Sequence, residues 1–418
     1  MDHFNYRHGR LYAEEVPVLD IAQAVGTPCY IYSAQTLTHH WRVFQEAFKH
    51  RPHKICYSVK ANSNLAVLNL FAQLGSGFDV VSQGELIRVI EAQGDPKEVV
   101  FSGVGKKPEE MAFALEQGIF CFNVESESEL ETLNQIAAHV NKKAPVAFRI
   151  NPNIDPQSHP YIATGLKENK FGIPCDKALE IYLKAKRLPH INVIGLDYHI
   201  GSQLVALSPF IEALKRMKEL MACLSEEGIQ IKHLDIGGGL GVVYQNETPP
   251  LPKAYADAIS EQCPDPNLMI ILEPGRAIAA NAGILVTQVI TLKENAGKHF
   301  CIVDAGMNDF LRPALYQAWQ NIIPVIEGNG LSGDSQCYDI VGPICESSDF
   351  LAKDRQLCVA PKDYLALRTA GAYGYVMSSN YNTRLKPAEV MVKGDLYQIV
   401  GKRQSYAQLL EGESIWVA

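Results

Sequence analysis

The chain has 418 residues, 47% hydrophobic and 20% charged, the balance of a soluble globular protein too long for one ordinary core and long enough for two domains. A net charge of −8 argues against nucleic acid and anionic membrane as partners and leaves small-molecule chemistry. Ten cysteines scattered without Cys-x-x-Cys pairs argue against a zinc site or a disulfide framework, so no metal is expected, and reduced thiols fit a cytoplasmic protein.

The start, Met1-Asp2-His3-Phe4-Asn5-Tyr6-Arg7-His8, lacks the apolar core of a signal peptide, and no later run is long enough to span a bilayer. Helical regularity begins only near Ile21, and Cys29-Tyr30-Ile31-Tyr32 reads as a strand that can pair with a later β domain. From about residue 54 to about 273, short apolar runs alternate with helical stretches, the pattern of parallel β/α architecture. The runs begin near Lys54, Phe78, Val99, Phe120, Val146, Val193, His233 and Met269, the number that closes a (β/α)8 TIM barrel. Helix starts agree with this, with Pro108 after Lys107 and the box Ser126-Glu127-Ser128-Glu129 before Leu130. Beyond Asn281, strand-like runs follow one another without regular helices: 284–292, 300–303 and 338–341. The fold class expected is therefore α/β, with a barrel over 30–280 and a β-sandwich or barrel-like domain over 281–418 joined by 1–29.

Active sites of such barrels lie at the C-terminal ends of the strands, so the residues there are read as one set: Lys60, Asp79, Ser102, Asn123, Arg149, His199, 237–241 and 273–276. Lys60, in Tyr57-Ser58-Val59-Lys60-Ala61-Asn62, stands on a strand-to-helix turn, where an amine can form a Schiff base or simply be a solvated loop lysine. Asp235-Ile236-Gly237-Gly238-Gly239-Leu240-Gly241 can offer free N–H groups to a phosphate, although tight turns use the same residues. Glu273-Pro274-Gly275-Arg276 adds a carboxylate, a close-approach glycine and a guanidinium. His199-Ile200-Gly201-Ser202-Gln203 adds a flat ring, structural in isolation and a stacking partner beside a cofactor. A lysine for an aldehyde, a phosphate cradle and a carboxylate for a ring nitrogen together describe a pyridoxal 5'-phosphate site.

In these motifs the chain resembles the diaminopimelate decarboxylases, within the alanine-racemase-like family of pyridoxal-phosphate enzymes. The blocks that separate this group from ornithine- or arginine-decarboxylating relatives are Asp304-Ala305-Gly306-Met307-Asn308-Asp309, Arg312-Pro313-Ala314-Leu315-Tyr316, Gly342-Pro343-Ile344-Cys345-Glu346-Ser347-Ser348-Asp349 and Ser378-Ser379-Asn380-Tyr381-Asn382. The segment Thr383-Arg384-Leu385-Lys386-Pro387 departs from the group's usual arginine-proline pair, with no catalytic consequence expected. The resemblance implies decarboxylation of meso-2,6-diaminoheptanedioate to L-lysine by a homodimer with active sites at its interface. It implies that Lys60 carries the cofactor and that His199 stacks on its ring. Ser202, Gly238, Gly239, Gly275 and Arg276 would hold the phosphate region, and Glu273 would pair with the pyridine nitrogen. Arg276, Arg312 and Tyr316 would bind a substrate carboxylate, Glu346 the distal ammonium, and Tyr373 would lie beside cofactor and substrate. Cys345, which composition alone would place in the core, becomes the proton donor, and Glu346 beside it suggests a loop delivering both groups to a polar site. The rival readings are decarboxylation of ornithine, arginine or carboxynorspermidine, and a non-catalytic cofactor-binding regulator on the same scaffold.

Overall fold

The computed structural model describes residues 2–155, 164–165, 168–327 and 335–417. The chain divides into two compact units, one made of Thr38–Val243 and Glu247–Ile278, the other of Met1–Leu37, Tyr244–Asn246 and Ala279–Ala418. Residues 30–37 thus belong to the second unit.

In the first unit, His53–Ser58, Gly77–Val80, Val99–Phe101, Cys121–Val124, Ala144–Asn151, Ile191–Asp197, His233–Asp235 and Met269–Leu272 pair in parallel, each with the next. The last returns to the first, Ile271 lying opposite Lys54, so the barrel closes. Each expected run starts within two residues of its strand. The Ser126 hydroxyl caps the helix Glu127–His139 by accepting the Glu129 N–H at 3.1 Å. The Glu129 carboxylate reaches back to the N–H of Glu125 rather than to that of Ser126, and also holds the buried Lys106 ammonium at 2.8 Å. Lys107 precedes the helix Pro108–Gln117, and the Glu110 carboxylate accepts its N–H at 3.0 Å.

Within the barrel, Cys56, Val100, Cys121, Ala147, Ile194 and Ile271 form an apolar cluster of mostly small side chains. Smallness is enforced at Gly195, which pairs with His233 on the next strand. A Cβ there would sit 2.0 Å from His233 Nε2, on a ring that is buried and packed against Phe120.

In the second unit, Gly283–Asn295 is the central strand. Its first half pairs with Cys29–Ser33 and with Tyr364–Leu367, and its second half with Lys298–Val303. A register shift between Val289 and Thr291, a β-bulge or irregularity, falls where the strand passes from one set of partners to the other. Cys29–Ser33 also pairs in parallel with Ala388–Lys393, which ties the N-terminal segment into this unit. Phe4, Leu11, Ile21, Ile31, Ile284, Val286 and Val390 share its core.

Gly195→Ala is expected to cost about 1–3 kcal/mol or more through overpacking against His233. Urea unfolding of Gly195→Ala and His233→Ala, singly and together, checks this. The cost should largely vanish when His233 is already alanine, because the two sites share one contact.

Candidate active site

Lys60 leaves the first barrel strand on the turn Val59–Ala61, ahead of the helix Leu65–Gln73. Its Nζ lies 2.5 Å from Asp79 Oδ2, and the Ser58 hydroxyl lies 2.8 Å from the same oxygen. The Asp79 side chain is fully buried whereas that of Lys60 is 38% exposed, so the amine reaches inward from a partly solvated stem. Glu85, on the helix Gln83–Glu91, is pushed up to about 7 by burial, against the Val81 N–H and the Lys60 charge, which both lower it.

Beside this pair the barrel interior is acidic. Arg149, Asp197 and Asp235 lie at one level on adjacent strands, since Asp197 pairs with both of the others. Glu273 follows the last strand and is buried with them. Burial drives Asp197, Asp235 and Glu273 well above the carboxylate range, and mutual repulsion adds to it: Glu273 on Asp197, Asp197 on Asp235, Asp235 on Glu273. Arg149 stays cationic because the charges of Glu125, Asp197 and Glu273 outweigh its desolvation. It lies 3.1 Å from Glu125, whose carboxylate also accepts the N–H groups of Gly103 and Gly172, each at 2.9 Å. Asp197 and Glu125 were not singled out from the sequence. The available signal for Asp197 was an acid closing the run Val193-Ile194-Gly195-Leu196, where the strand is buried.

The glycine segment after the seventh strand is crowded by backbone. A Cβ at Gly238 would lie 2.3 Å from the Glu273 carbonyl oxygen, and one at Gly239, where φ is +103°, would lie 2.4 Å from that of Gly201. The Gly238 N–H donates to His199 Nδ1 at 3.2 Å, which leaves the ring proton on Nε2. Burial, then the charges of Arg149 and Lys60, hold His199 well below the ordinary imidazole value, so the ring is neutral at pH 7. The Arg276 guanidinium is buried, with Nε and one terminal nitrogen each 3.1 Å from the Ser202 hydroxyl. A Cβ at Gly275 would meet Ser58 and Ala61 at 3.0 Å.

This donor set fits pyridoxal phosphate. Glycine backbone, the Ser202 hydroxyl and the Arg276 guanidinium suit a phosphate, Lys60 an aldehyde, Glu273 a ring nitrogen, and a neutral flat His199 an aromatic face. The barrel unit therefore brings to one end Lys60, His199, Ser202, Gly238, Gly239, Glu273, Gly275 and Arg276. Among the described residues no group of His, Cys, Asp or Glu is placed to hold a metal ion.

The other expected residues lie in the β unit. Arg312 opens the short helix Arg312–Tyr316 and is buried, its guanidinium 5.6 Å from the centre of the Tyr316 ring and 5.3 Å from that of Tyr244, a partner no motif had indicated. Cys345 and Glu346 share a turn held by Asp349, whose carboxylate accepts the N–H groups of Met307 at 2.6 Å and Ile344 at 2.7 Å. Asn382 Oδ1 accepts the Cys345 N–H at 2.7 Å. The hydroxyls of Ser348 and Tyr381 hold Glu346 below the usual carboxylate range. Both Cys345 and Glu346 are exposed in the single chain, so the burial cost inferred from sequence for Glu346 is not incurred within it. Tyr373 is half-buried with φ at +55°, a left-handed conformation that costs a bulky residue about 1–3 kcal/mol.

Residues 34–280 match the family model of the pyridoxal binding domain of pyridoxal-dependent decarboxylases. The diaminopimelate decarboxylase of Vibrio cholerae is 55% identical over 417 residues, covering 99% of both chains. The crystal structure of diaminopimelate decarboxylase from Helicobacter pylori complexed with L-lysine is similar at a TM-score of 0.90 and 43% identity, over 94% of this chain and 98% of that one. The M. jannaschii enzyme in co-complex with L-lysine is similar at a TM-score of 0.94 and 37% identity, over 99% and 98%. The lysine set against a buried aspartate, the glycine-lined turn and the carboxylate at Glu273 thus occur in a chain that belongs to the diaminopimelate decarboxylases, a family of pyridoxal-dependent decarboxylases.

Proposed function

We infer that the chain decarboxylates meso-2,6-diaminoheptanedioate to L-lysine and carbon dioxide, with pyridoxal phosphate as cofactor. The observation that carries this is the convergence, at one barrel end, of the Lys60 amine on Asp79, a buried carboxylate at Glu273 and a glycine turn closed by backbone, in a chain 55% identical along its length to a diaminopimelate decarboxylase. When bound, pyridoxal phosphate supplies an electron-poor ring that accepts the electron pair left as carbon dioxide departs.

Lys60 is assigned the amine that would hold the cofactor covalently, with Asp79 placed to receive its ammonium when it is free. Glu273 would keep a proton on the pyridine nitrogen, and His199, a neutral imidazole, would offer its flat face to the ring. Ser202, the backbone of Gly238, Gly239 and Gly275, and Arg276 hold the phosphate region. Arg276, Arg312 and Tyr316 bind a carboxylate, Glu346 the distal ammonium, and Tyr373 borders both molecules. Cys345 gives its thiol proton to Cα and is reprotonated from solvent. A homodimer in which the 342–349 turn of one subunit serves the barrel of the other is supported by the exposure of Cys345 and Glu346 in the single chain. The unbridged cysteines suit the reducing cytoplasm.

Borohydride reduction and peptide mapping of the loaded enzyme should place the reduced cofactor on Lys60, and Lys60→Ala should lose both its visible absorbance and turnover. Label on Lys106 or Lys170 would refute the assignment.

Arg312→Ala should weaken diaminopimelate by on the order of 2–5 kcal/mol in kcat/KM, because a charged end loses its partner in a desolvated site. Substrates with one carboxylate should suffer less. Equal losses would show that Arg312 does not read the second carboxylate.

Lys60→Ala and Cys345→Ala should each be inactive or nearly so as homodimers, yet recover roughly a quarter of wild-type activity when subunits are mixed and reassort, since each mixed dimer has one intact site under two-fold symmetry. Subunit exchange shown by tagged pull-down without any recovery would rule out donation across the interface.

A further inference from the structure

Glu273 sits in a setting that opposes the state its role requires. Among the described residues, the acids facing it are Asp235, Asp79 and Asp197, with the Cys56 thiol nearby, and the cations acting on it are Lys60 and Arg149. To hold a proton on a ring nitrogen it has to be an anion, and to be effective it has to point one way. Within the barrel two side chains, neither of them assigned a role above, supply the donors that meet both needs.

The Ser102 hydroxyl donates to Glu273 Oε1 at 3.2 Å. Asn123 Nδ2 lies 3.2 Å from Ser102 Oγ, 3.3 Å from Asp235 Oδ2 and 3.4 Å from Glu273 Oε1. The amide thus turns its two N–H groups toward an acid on one side and a hydroxyl bound to an acid on the other. Its own oxygen, Asn123 Oδ1, is buried without a hydrogen-bond partner. Rotating the amide by half a turn would place that oxygen against two carboxyl groups, so the orientation with an unmatched acceptor is the one that presents donors to the acids. Both residues are held by the barrel: Asn123 is on the strand Cys121–Val124, paired with Ala147, and the Ser102 N–H donates to the Val80 carbonyl at 2.9 Å. Asp235 is separately committed, its Oδ1 accepting the Gly237 N–H at 2.9 Å.

We propose that Asn123 and Ser102 are positioning residues for Glu273, a donor bracket that orients its carboxylate and keeps it ionised against Asp235 so that it can hold the proton of the cofactor nitrogen. The contacts are long individually. Their effect comes from converging on one oxygen from two neighbouring strands, in an interior where a donor to an anion counts for more than it does in water. The proposal rests on the cofactor assignment above, and its test separates the two.

The test compares wild type, Asn123→Leu, which keeps approximate volume and removes both donors, Ser102→Ala, and Ser102→Thr, which restores a hydroxyl. In the loaded enzyme, Asn123→Leu should lower kcat roughly 10- to 100-fold, the usual scale for a group that orients a functional ligand, with KM within about threefold. Ser102→Ala should lose less, and Ser102→Thr should recover most of that loss. The acid limb of the kcat profile and the absorbance titration of the bound cofactor should both move in Ser102→Ala, where Glu273 then takes up a proton more readily; Ser102 isolates this effect, since the Asn123 amide also lies 3.3 Å from Asp235 Oδ2.

A second readout does not use activity. An acid whose pKa is raised on folding contributes stability that is full below its unfolded value and is lost as the pH rises through its folded value. Removing donors raises Glu273 further, so the unfolding midpoint of the full cofactor-free chain should fall further below wild type once the pH passes the wild-type folded value of Glu273, which burial holds well above the carboxylate range. A deficit that is the same at every pH, with an unshifted kcat profile and absorbance, would show a packing role only and overturn the proposal. A wild-type chain that carries no cofactor on Lys60 would instead remove the reading on which it rests, whatever the variants do.

Discussion

Too many carboxyl groups for the available cations are held inside a closed barrel. Asp79, Asp197, Asp235, Glu273 and Glu125 are buried there with Arg149 and the inward-reaching Lys60. Desolvation and mutual repulsion push Asp197, Asp235 and Glu273 toward the neutral form, and the rest of the site can be understood as a set of responses to that pressure. Lys60 is drawn to Asp79. Arg149 is shared between Glu125 and the layer beside it, Asn123 and Ser102 offer donors instead of charge, and Gly237 gives its N–H to Asp235. Such an interior destabilises the fold at neutral pH relative to an apolar one, and it is retained where the chemistry needs several acids at different protonation states within a short distance.

The neutral state of His199 has a different cause. Burial first, and then the charges of Arg149 and Lys60, disfavour an imidazolium, so the ring stays neutral and accepts the Gly238 N–H through Nδ1. One hydrogen bond thus sets the histidine tautomer and fixes the glycine turn against it. The turn can approach only because residues 238 and 239 lack side chains, their backbone standing where a Cβ would meet the carbonyls of Glu273 and Gly201.

The β unit uses carboxylates differently. Asp304, Asp309 and Asp349 each accept backbone N–H groups, Asp304 from Gln288 on the central strand, Asp309 from Gly306 in its own loop, and Asp349 from Ile344 nearby and Met307 across the unit. These bonds shape the turn that presents Cys345 and Glu346 to solvent and the segment that leads to Arg312. Here the acids are structural and the functional candidates are displayed on the frame they build, which is why the motifs in this region are rich in Asp, Gly and Asn.

The barrel was legible in the sequence because parallel strands buried on both faces are short apolar runs, and their spacing with intervening helices is a one-dimensional signal. That Lys60, His199, the glycine turn and Glu273 lie just beyond barrel strands was legible for the same reason, since placing the strands places the residues that follow them. That Cys29–Ser33 pairs within the β domain followed from strand pattern, but its partners, Gly283–Asn295 and, in parallel, Ala388–Lys393, were not indicated. Tertiary structure alone decided which inward residues meet. That Asp197 lies between Arg149 and Asp235, that Asn123 turns its amide to two acids, that Tyr244 backs Arg312 and that Asn382 holds the Cys345 amide all depend on register and on contacts between residues far apart in the chain. Periodicity assigns a residue to a face of its own strand, whereas its neighbours on that face are chosen by closure of the barrel and by packing, and from those neighbours come the charge state and orientation of every group in the site.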